Sequence, residues 1–347
     1  MSDPRPLISI CIPVFNEETN VDRAMERVAK VFEGLPDYRY EMVFTDNHSV
    51  DSTFHILSAA ALKDERIRVA RFASNVGFQR SILTGYLLAR GDAVIQLDCD
   101  LQDPPELIGQ MLENWRAGAE VVYGVRRKRK EGWVITTTRK IFYRLLDYLS
   151  EEHLPHDAGD FRLVDRKVIE VLRNIDDKSP YLRGMITLIG FRQVAFVYDR
   201  NEREFGESKF NIRSLVKLAM DAVVSHSAVP LQLASYIGFL LALVAAIFGG
   251  SFIVAKFVAG ADWPAGFATL AILILANMAL TSMLLGIIGL YLSRVLTQTR
   301  GGPMSVIESS VNIGEDAAGN PRIVDLSSMR RLPDNASNEV PAPGDNR

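Results

Sequence analysis

Gln96-Leu97-Asp98-Cys99-Asp100-Leu101-Gln102-Asp103-Pro104-Pro105-Glu106 closes an apolar run, 92–98 (DAVIQLD), with carboxylates two residues apart and a Pro-Pro turn. The run is short, partly β-branched and bounded by turn residues, which predicts a buried strand. Two carboxylates at the end of such a strand cannot both be buried without a cationic partner. Hard divalent ions take oxygen ligands, and Mg²⁺ or Mn²⁺ bridges carboxylates to a diphosphate. Asp98 and Asp100 are therefore candidate metal ligands, and Gln102 adds an amide oxygen. A bare Asp-x-Asp also describes a solvated turn; the apolar strand before it favours the metal.

Upstream, residues 7–15 (LISICIPVF), 40–45 (YEMVFT) and 67–72 (IRVARF) read as further strands. Val21, Met25, Val28 and Phe32 share one face of a helix over 18–33, and helices are expected near 52–63 and 79–89. Strands alternating with helices predict an α/β fold around a doubly wound, mostly parallel sheet. Ligands of such sheets sit beyond the carboxyl ends of the strands, where Asn16, Glu17, Asp46, Asp98 and Asp100 fall. Asp46 can accept hydrogen bonds from a base or ribose. Asp51 or Ser52 reads as a helix N-cap, and His48 as a loop histidine. Cys11 and Cys99 lie in apolar runs and read as buried thiols.

A chain of 347 residues has ample core for one large or two small domains. Its net charge of −3 excludes a nucleic-acid binder by bulk charge. That charge is unevenly spread. Between 229 and 258 the single charged residue is Lys256, and between 263 and 292 there is none. Each stretch exceeds the ~20 apolar residues needed to cross a bilayer. Together, as transmembrane helices 229–258 and 263–292, they predict a hairpin. Arg213, Lys217, Arg294 and Arg300 flank it, placing both ends and the N-terminal domain (1–210) on the cytoplasmic side. The N-terminus carries no signal-peptide pattern. Basic amphipathic patterns at 139–150 and 211–228 suit interfacial helices; core-facing helices are the plainer alternative. The remainder, 293–347, reads as a cytoplasmic tail, largely disordered after about 315.

The run Arg126-Arg127-Lys128-Arg129-Lys130 reads as a solvated loop, a targeting tail, or a loop that attracts anionic lipid and a phosphate. The basic helical pattern that follows favours the last.

PVFNEE (13–18), TDNHSVDST (45–53) and LDCDLQDPPE (97–106), in this order, resemble the family 2 glycosyltransferases with their nucleotide-sugar-binding, glycosyltransferase A type fold. DAGDFRLVDR (157–166), REFGESKF (203–210) and the two-span hairpin narrow the resemblance to the polyprenyl-phosphate glycosyltransferases. Within these the chain is most similar to bacterial undecaprenyl-phosphate glucosyl- and aminoarabinosyl-transferases.

The resemblance implies a metal-dependent, inverting hexosyltransferase that moves a sugar from a nucleotide-sugar donor, such as UDP-glucose, to polyprenyl phosphate for cell-envelope glycans or lipids. It implies that Pro13, Phe15, Glu17, Asp46 and Asp98 bind the nucleotide sugar. Asp98, Asp100 and Gln102 would hold Mg²⁺ or Mn²⁺ with the diphosphate. Arg126, Arg139, Ser208 and Lys209 would meet the acceptor phosphate. Asp100, Arg203 and Asp157 would be catalytic, with Asp160 in the same acceptor motif as Asp157. Asn47 departs from the pattern, since many relatives have a second Asp there. The Gln-x-x-Arg-Trp signature of processive synthases is absent. The implied setting is a bacterial inner membrane, with the bilayer and a homo-oligomer as partners and no nucleic acid. A non-catalytic sugar-nucleotide scaffold, a small transporter subunit, and a transferase to protein, glycan or diacylglycerol are the competing readings.

Overall fold

The structure, a computed structural model, describes residues 3–126, 158–177, 180–199, 266–299, 302–313 and 322–326, with isolated helical positions between 231 and 247. The first half follows the expected alternation. Strands β1 (Leu7–Val14), β2 (Arg39–Asp46), β3 (Ile67–Phe72) and β4 (Ala93–Gln96) are separated by helices α1 (Val21–Glu33), α2 (Thr53–Ala61) and α3 (Phe78–Leu88). Helix α4 (Ile108–Arg116) then leads to β5 (Val121–Arg126). After 158 come β6 (Ala158–Asp165), α5 (Arg166–Asn174), α6 (Leu182–Ile189) and β7 (Gln193–Tyr198). A long helix α7 (Phe267–Thr299) and strands β8 (Ser305–Val311) and β9 (Ile323–Asp325) follow.

These nine strands form one sheet, in the order β7-β5-β6-β4-β1-β2-β3-β8-β9. Strand β1 pairs in parallel with both β2 and β4, and β2 with β3. The chain builds outward from β1 to β3, then crosses to the other side of β1 for β4. The crevice of a doubly wound sheet opens at that reversal. Strand β6 runs antiparallel between β4 and β5.

Each face of the sheet is covered because alternate side chains point to opposite sides. Ile8, Ile10, Ile12 and Val14 pack with Val21, Val28 and Phe32 of α1 and with Leu57, Ile108 and Met111. Cys11 and Val43 face α3, with Ile82, Leu83 and Tyr86, and the α5 and α6 residues Ile169, Leu172 and Ile186. Both cysteines are buried and free, as their apolar neighbours led us to expect. Burial pushes the Cys11 thiol up.

The segment beyond 293 differs from its reading as a tail. β8 pairs antiparallel with β3, and β9 pairs with β8. Ile323–Asp325 thus lies in the sheet although it falls where disorder was expected. Arg68 fixes this segment: its buried guanidinium donates to the carbonyls of Asn312 and Ile313 and pairs with Glu41 at 3.1 Å. Asn312 in turn donates to the carbonyls of Ala61 and Ile67.

Counting described residues alone, no helix is long and apolar enough to cross a membrane. α7 is 33 residues long, and several of its side chains lie outside the description. Those described include the exposed Leu270, Leu273, Ile274, Met278 and Leu285. The interfacial segments 139–150 and 211–228 lie outside the described residues, as does most of the first expected span.

Candidate functional site

The carboxyl ends of β1 and β2 are held by two interlocking loops. Asn16 donates its backbone N–H to Ser49 Oγ and accepts from the Val50 N–H. The Glu17 N–H donates to Thr53 Oγ1, and Glu18 Oε2 accepts from the Ser52 N–H. Asp51, not Ser52, supplies the helix-capping oxygen: its carboxylate accepts from both the N–H and the hydroxyl of Thr53.

Three non-glycine residues just past the ends of β1, β2 and β4 have positive φ: Asn16 (56°), His48 (63°) and Leu101 (54°). Asn tolerates this region; a leucine there is strained. Such outliers gather where backbone geometry serves a site.

The four acids of the 96–106 segment divide by partner. Asp103 is buried and accepts from Tyr198 Oη at 2.5 Å. Glu106 receives Arg27 from α1 in a two-pronged ion pair, closest at 2.6 Å. These two anchor the turn. Asp98 and Asp100 are only half-buried at the strand end. Gln96 Nε2 donates to Asp98 Oδ1 at 2.9 Å, and the Gln102 N–H to Asp100 Oδ1 at 3.2 Å. Burial raises the Cys99 thiol well above its ordinary value, and the carboxylates of Glu17, Asp100 and Asp98 add to the shift. Glu17 from the β1 end is thus near enough to act electrostatically on Cys99, which sits between Asp98 and Asp100 in the chain. Among the described residues no three His, Cys, Asp or Glu side chains converge as a metal site. The acidic pair leaves the remaining oxygens to come from elsewhere, which fits a cation shared with a diphosphate.

Asp46 ends β2 and is fully buried. Its Oδ1 accepts from the N–H and hydroxyl of Ser49, while Oδ2 has no hydrogen-bond partner among the described residues. Arg71 Nε stands 3.8 Å from Oδ2, too far for a hydrogen bond, and its guanidinium lies over the Phe54 ring. Burial raises the Asp46 carboxyl above the usual range, against the opposing effects of Ser49 and Arg71. A buried carboxylate oxygen without a donor is costly, and a ligand N–H that reached it would relieve that cost.

Phe15 is exposed at the mouth and Pro13 buried within β1. Arg126 ends β5 opposite Tyr198. Asp160 lies on β6, 3.4 Å from Arg183 and 3.8 Å from Arg162. Asp157, Arg139, Arg203, Ser208 and Lys209 lie outside the described residues. Arg71, Arg162 and Arg183 were missed from sequence. For Arg71 a signal existed, since an arginine near the end of the apolar run IRVARF is out of keeping with a buried strand.

The fold is an α/β sheet that gathers acidic residues at the carboxyl ends of its central parallel strands. The comparisons make the class specific. Residues 9–173 match the model of glycosyl transferase family 2. YkcC of Bacillus subtilis (strain 168), described as an uncharacterized glycosyltransferase, is 37% identical over 307 residues, covering 88% of this chain and 94% of that protein. A prophage bactoprenol glucosyl transferase homolog of Escherichia coli (strain K12) is 33% identical over 302 residues, covering 87% of this chain and 98% of that one. Glucosyl-3-phosphoglycerate synthase from Mycobacterium tuberculosis superposes with a TM-score of 0.45 at 17% identity, over 63% of this chain and 78% of that one. The chain belongs to glycosyl transferase family 2.

Proposed function

We propose that this glycosyltransferase transfers a hexose, glucose from UDP-glucose, onto a polyprenyl phosphate with inversion at the anomeric carbon. One observation carries the acceptor. The likeness to proteins named bactoprenol glucosyl transferases spans 87% of this chain, well beyond residues 9–173, and so takes in the apolar region.

The chemistry follows from the acceptor. A phosphate monoester has a second pKa near ~6, so it is largely a dianion at neutral pH and needs little help from a base. Its oxygen attacks the anomeric carbon as the bond to the nucleoside diphosphate breaks, and the electron pair leaves with the diphosphate. Asp98 and Asp100, with Gln102, would hold Mg²⁺ or Mn²⁺, which supplies charge neutralisation at the departing diphosphate. Pro13, Phe15, Glu17 and Asp46 receive the base and ribose. Arg126, Arg139, Arg203, Ser208 and Lys209 draw in and position the attacking dianion, and Asp157 orients it or takes its residual proton.

A polyprenyl acceptor resides in a bilayer. Residues 263–292 carry no charge, a stretch longer than the ~20 apolar residues that a crossing requires. Lysines and arginines at both ends of the hairpin support a cytoplasmic catalytic domain at the bacterial inner membrane. A membrane part of two helices is thin, which supports a homo-oligomer.

Detergent-purified full-length protein, Mn²⁺, UDP-[¹⁴C]glucose and undecaprenyl phosphate test this reading. Label should pass to the organic phase as an acid-labile lipid. Label that moves instead to diacylglycerol, or remains aqueous with every nucleotide sugar tried, overturns it.

Asp46→Asn gives a second test. Asparagine keeps an acceptor for Ser49 but loses the carboxylate oxygen offered to the base, so UDP affinity should fall about 10–100-fold, ~1.4–2.7 kcal/mol. Stability should move the other way. Burial raises the folded carboxyl value, so the folded protein holds this proton more tightly than the unfolded chain does. The group's contribution is thus favourable at acid pH and is lost as pH rises through the raised value. At pH 7 the asparagine variant should unfold at no lower temperature than wild type. Unchanged UDP affinity by calorimetry removes Asp46 from the nucleotide site.

A further inference from the structure

Beside Asp98, on the side of the sheet covered by α3 and α6, lies a polar cluster that the reading so far leaves without a task. Gln96 and Arg162 are directly opposed across the β4–β6 ladder, so their side chains share a face. Alternation along β6 puts Asp160 on that same face. Gln96 donates to Asp98. Arg162 is almost fully buried, donates to the Gly159 carbonyl and stands 3.8 Å from Asp160. Arg183, from the start of α6, hydrogen-bonds Asp160 at 3.4 Å. The start of that helix is pinned by Gln79, whose side chain accepts from the Leu182 N–H. The cluster is therefore continuous from the acidic pair to α6.

Two of its buried polar atoms have no hydrogen-bond partner among the described residues: Gln96 Oε1, an acceptor, and Arg183 Nε, a donor. The amide cannot simply be turned over, because that would set its oxygen against the Asp98 carboxylate. An orphan acceptor and an orphan donor in one cluster call for a group that both gives and takes hydrogen bonds. A phosphate dianion only accepts, and it would meet Asp160 and Asp98 at close range. A sugar hydroxyl does both. Asp160 and Arg183 are also the cluster members a ligand can reach, with side chains 26% and 24% exposed, against 5% for Arg162.

We propose that Asp160 and Arg183 recognise hydroxyl groups of the donor sugar, with Arg162 as the buried positioning residue that holds the Asp160 carboxylate. This deepens the proposed function and rests on it for the donor class only, not for the acceptor. Asp160 thereby reads as a specificity residue for the transferred sugar, not as part of the acceptor motif. A site built to hydrogen-bond a hydroxyl rejects an analogue that lacks it, because its own buried polar groups are left unpaired.

The test is a displacement assay on full-length protein in nanodiscs with Mn²⁺. The probe is whichever of UDP-glucose, UDP-galactose, UDP-N-acetylglucosamine and GDP-mannose binds tightest, with its singly deoxygenated analogues and the bare nucleoside diphosphate. Wild type should bind at least one deoxy donor 10-fold or more weakly than the parent. Asp160→Asn and Arg183→Gln should each bind the nucleoside diphosphate within twofold of wild type and the intact donor about 10-fold more weakly. Neither should discriminate that deoxy analogue any longer. A purely structural role would lower nucleotide and donor affinity in parallel and leave the discrimination intact, and that result overturns the inference. So does a wild type that binds no sugar donor better than the bare nucleotide. Transfer to undecaprenyl phosphate is scored separately, so loss of the acceptor reading and loss of the sugar reading are told apart.

Discussion

Asp100→Asn should reduce transfer by about three orders of magnitude, roughly 4 kcal/mol of transition-state stabilisation. The substitution keeps the shape and leaves an oxygen for the Gln102 N–H. What it removes is one negative charge from the pair proposed to hold a divalent ion. The Mn²⁺ concentration for half-maximal rate should rise as the maximal rate falls, while UDP binding in the absence of metal should hold within about twofold. Residual activity above a tenth of wild type, at any Mn²⁺ concentration, would remove Asp100 from the reaction. Asp103→Asn is not an equivalent control, because Asp103 accepts from Tyr198 inside the fold.

Replacing Arg68 by leucine should cost about 3–5 kcal/mol of stability, the scale for breaking one side of a buried ion pair. Arg68 donates to Leu88, Asn312 and Ile313 carbonyls and pairs with Glu41. Leucine leaves those carbonyls without this donor. It also leaves the Glu41 carboxylate with Ser9 and the Arg90 N–H in a buried setting. The unfolding midpoint should drop, and amide exchange over 302–313 should quicken before that of β1 and β2. Glu41→Leu on top of Arg68→Leu should recover part of the loss, since both charges are then gone. A midpoint within about 0.5 kcal/mol of wild type would mean the tether contributes little.

The central sheet was legible because its residues obey local rules. LISICIPVF is too apolar and β-branched for anything but a covered strand, and the helices between strands keep a clear period. That placed Asp46, Asp98 and Asp100 at strand ends, where the structure also has them. The eighth and ninth strands were not legible. SVIESSV is short, half serine and glutamate, and follows a long apolar helix, so its strand character comes from pairing with β3 and from Arg68, 237 or more residues earlier in the chain. Arg162 and Arg183 escaped for a related reason. Nothing in FRLVDR or YLRGM says that one arginine is buried against β4 and the other meets Asp160; that is a property of the antiparallel insertion of β6. Propensity sees neighbours in the chain, whereas these roles are set across the sheet.

The re-entry of the chain after α7 has a mechanical result. Between Thr299 and Ser305 lie five residues, a leash of at most about 18 Å when taut. At its near end Gln298 also grips Asp177 at 2.5 Å. The sheet and the C-terminal end of α7 are therefore tied within a few residues' reach of each other. In the membrane setting proposed above, a catalytic head so tied would keep a nearly fixed altitude, like a lathe tool in its post, and a lipid-borne substrate would have to come to the blade.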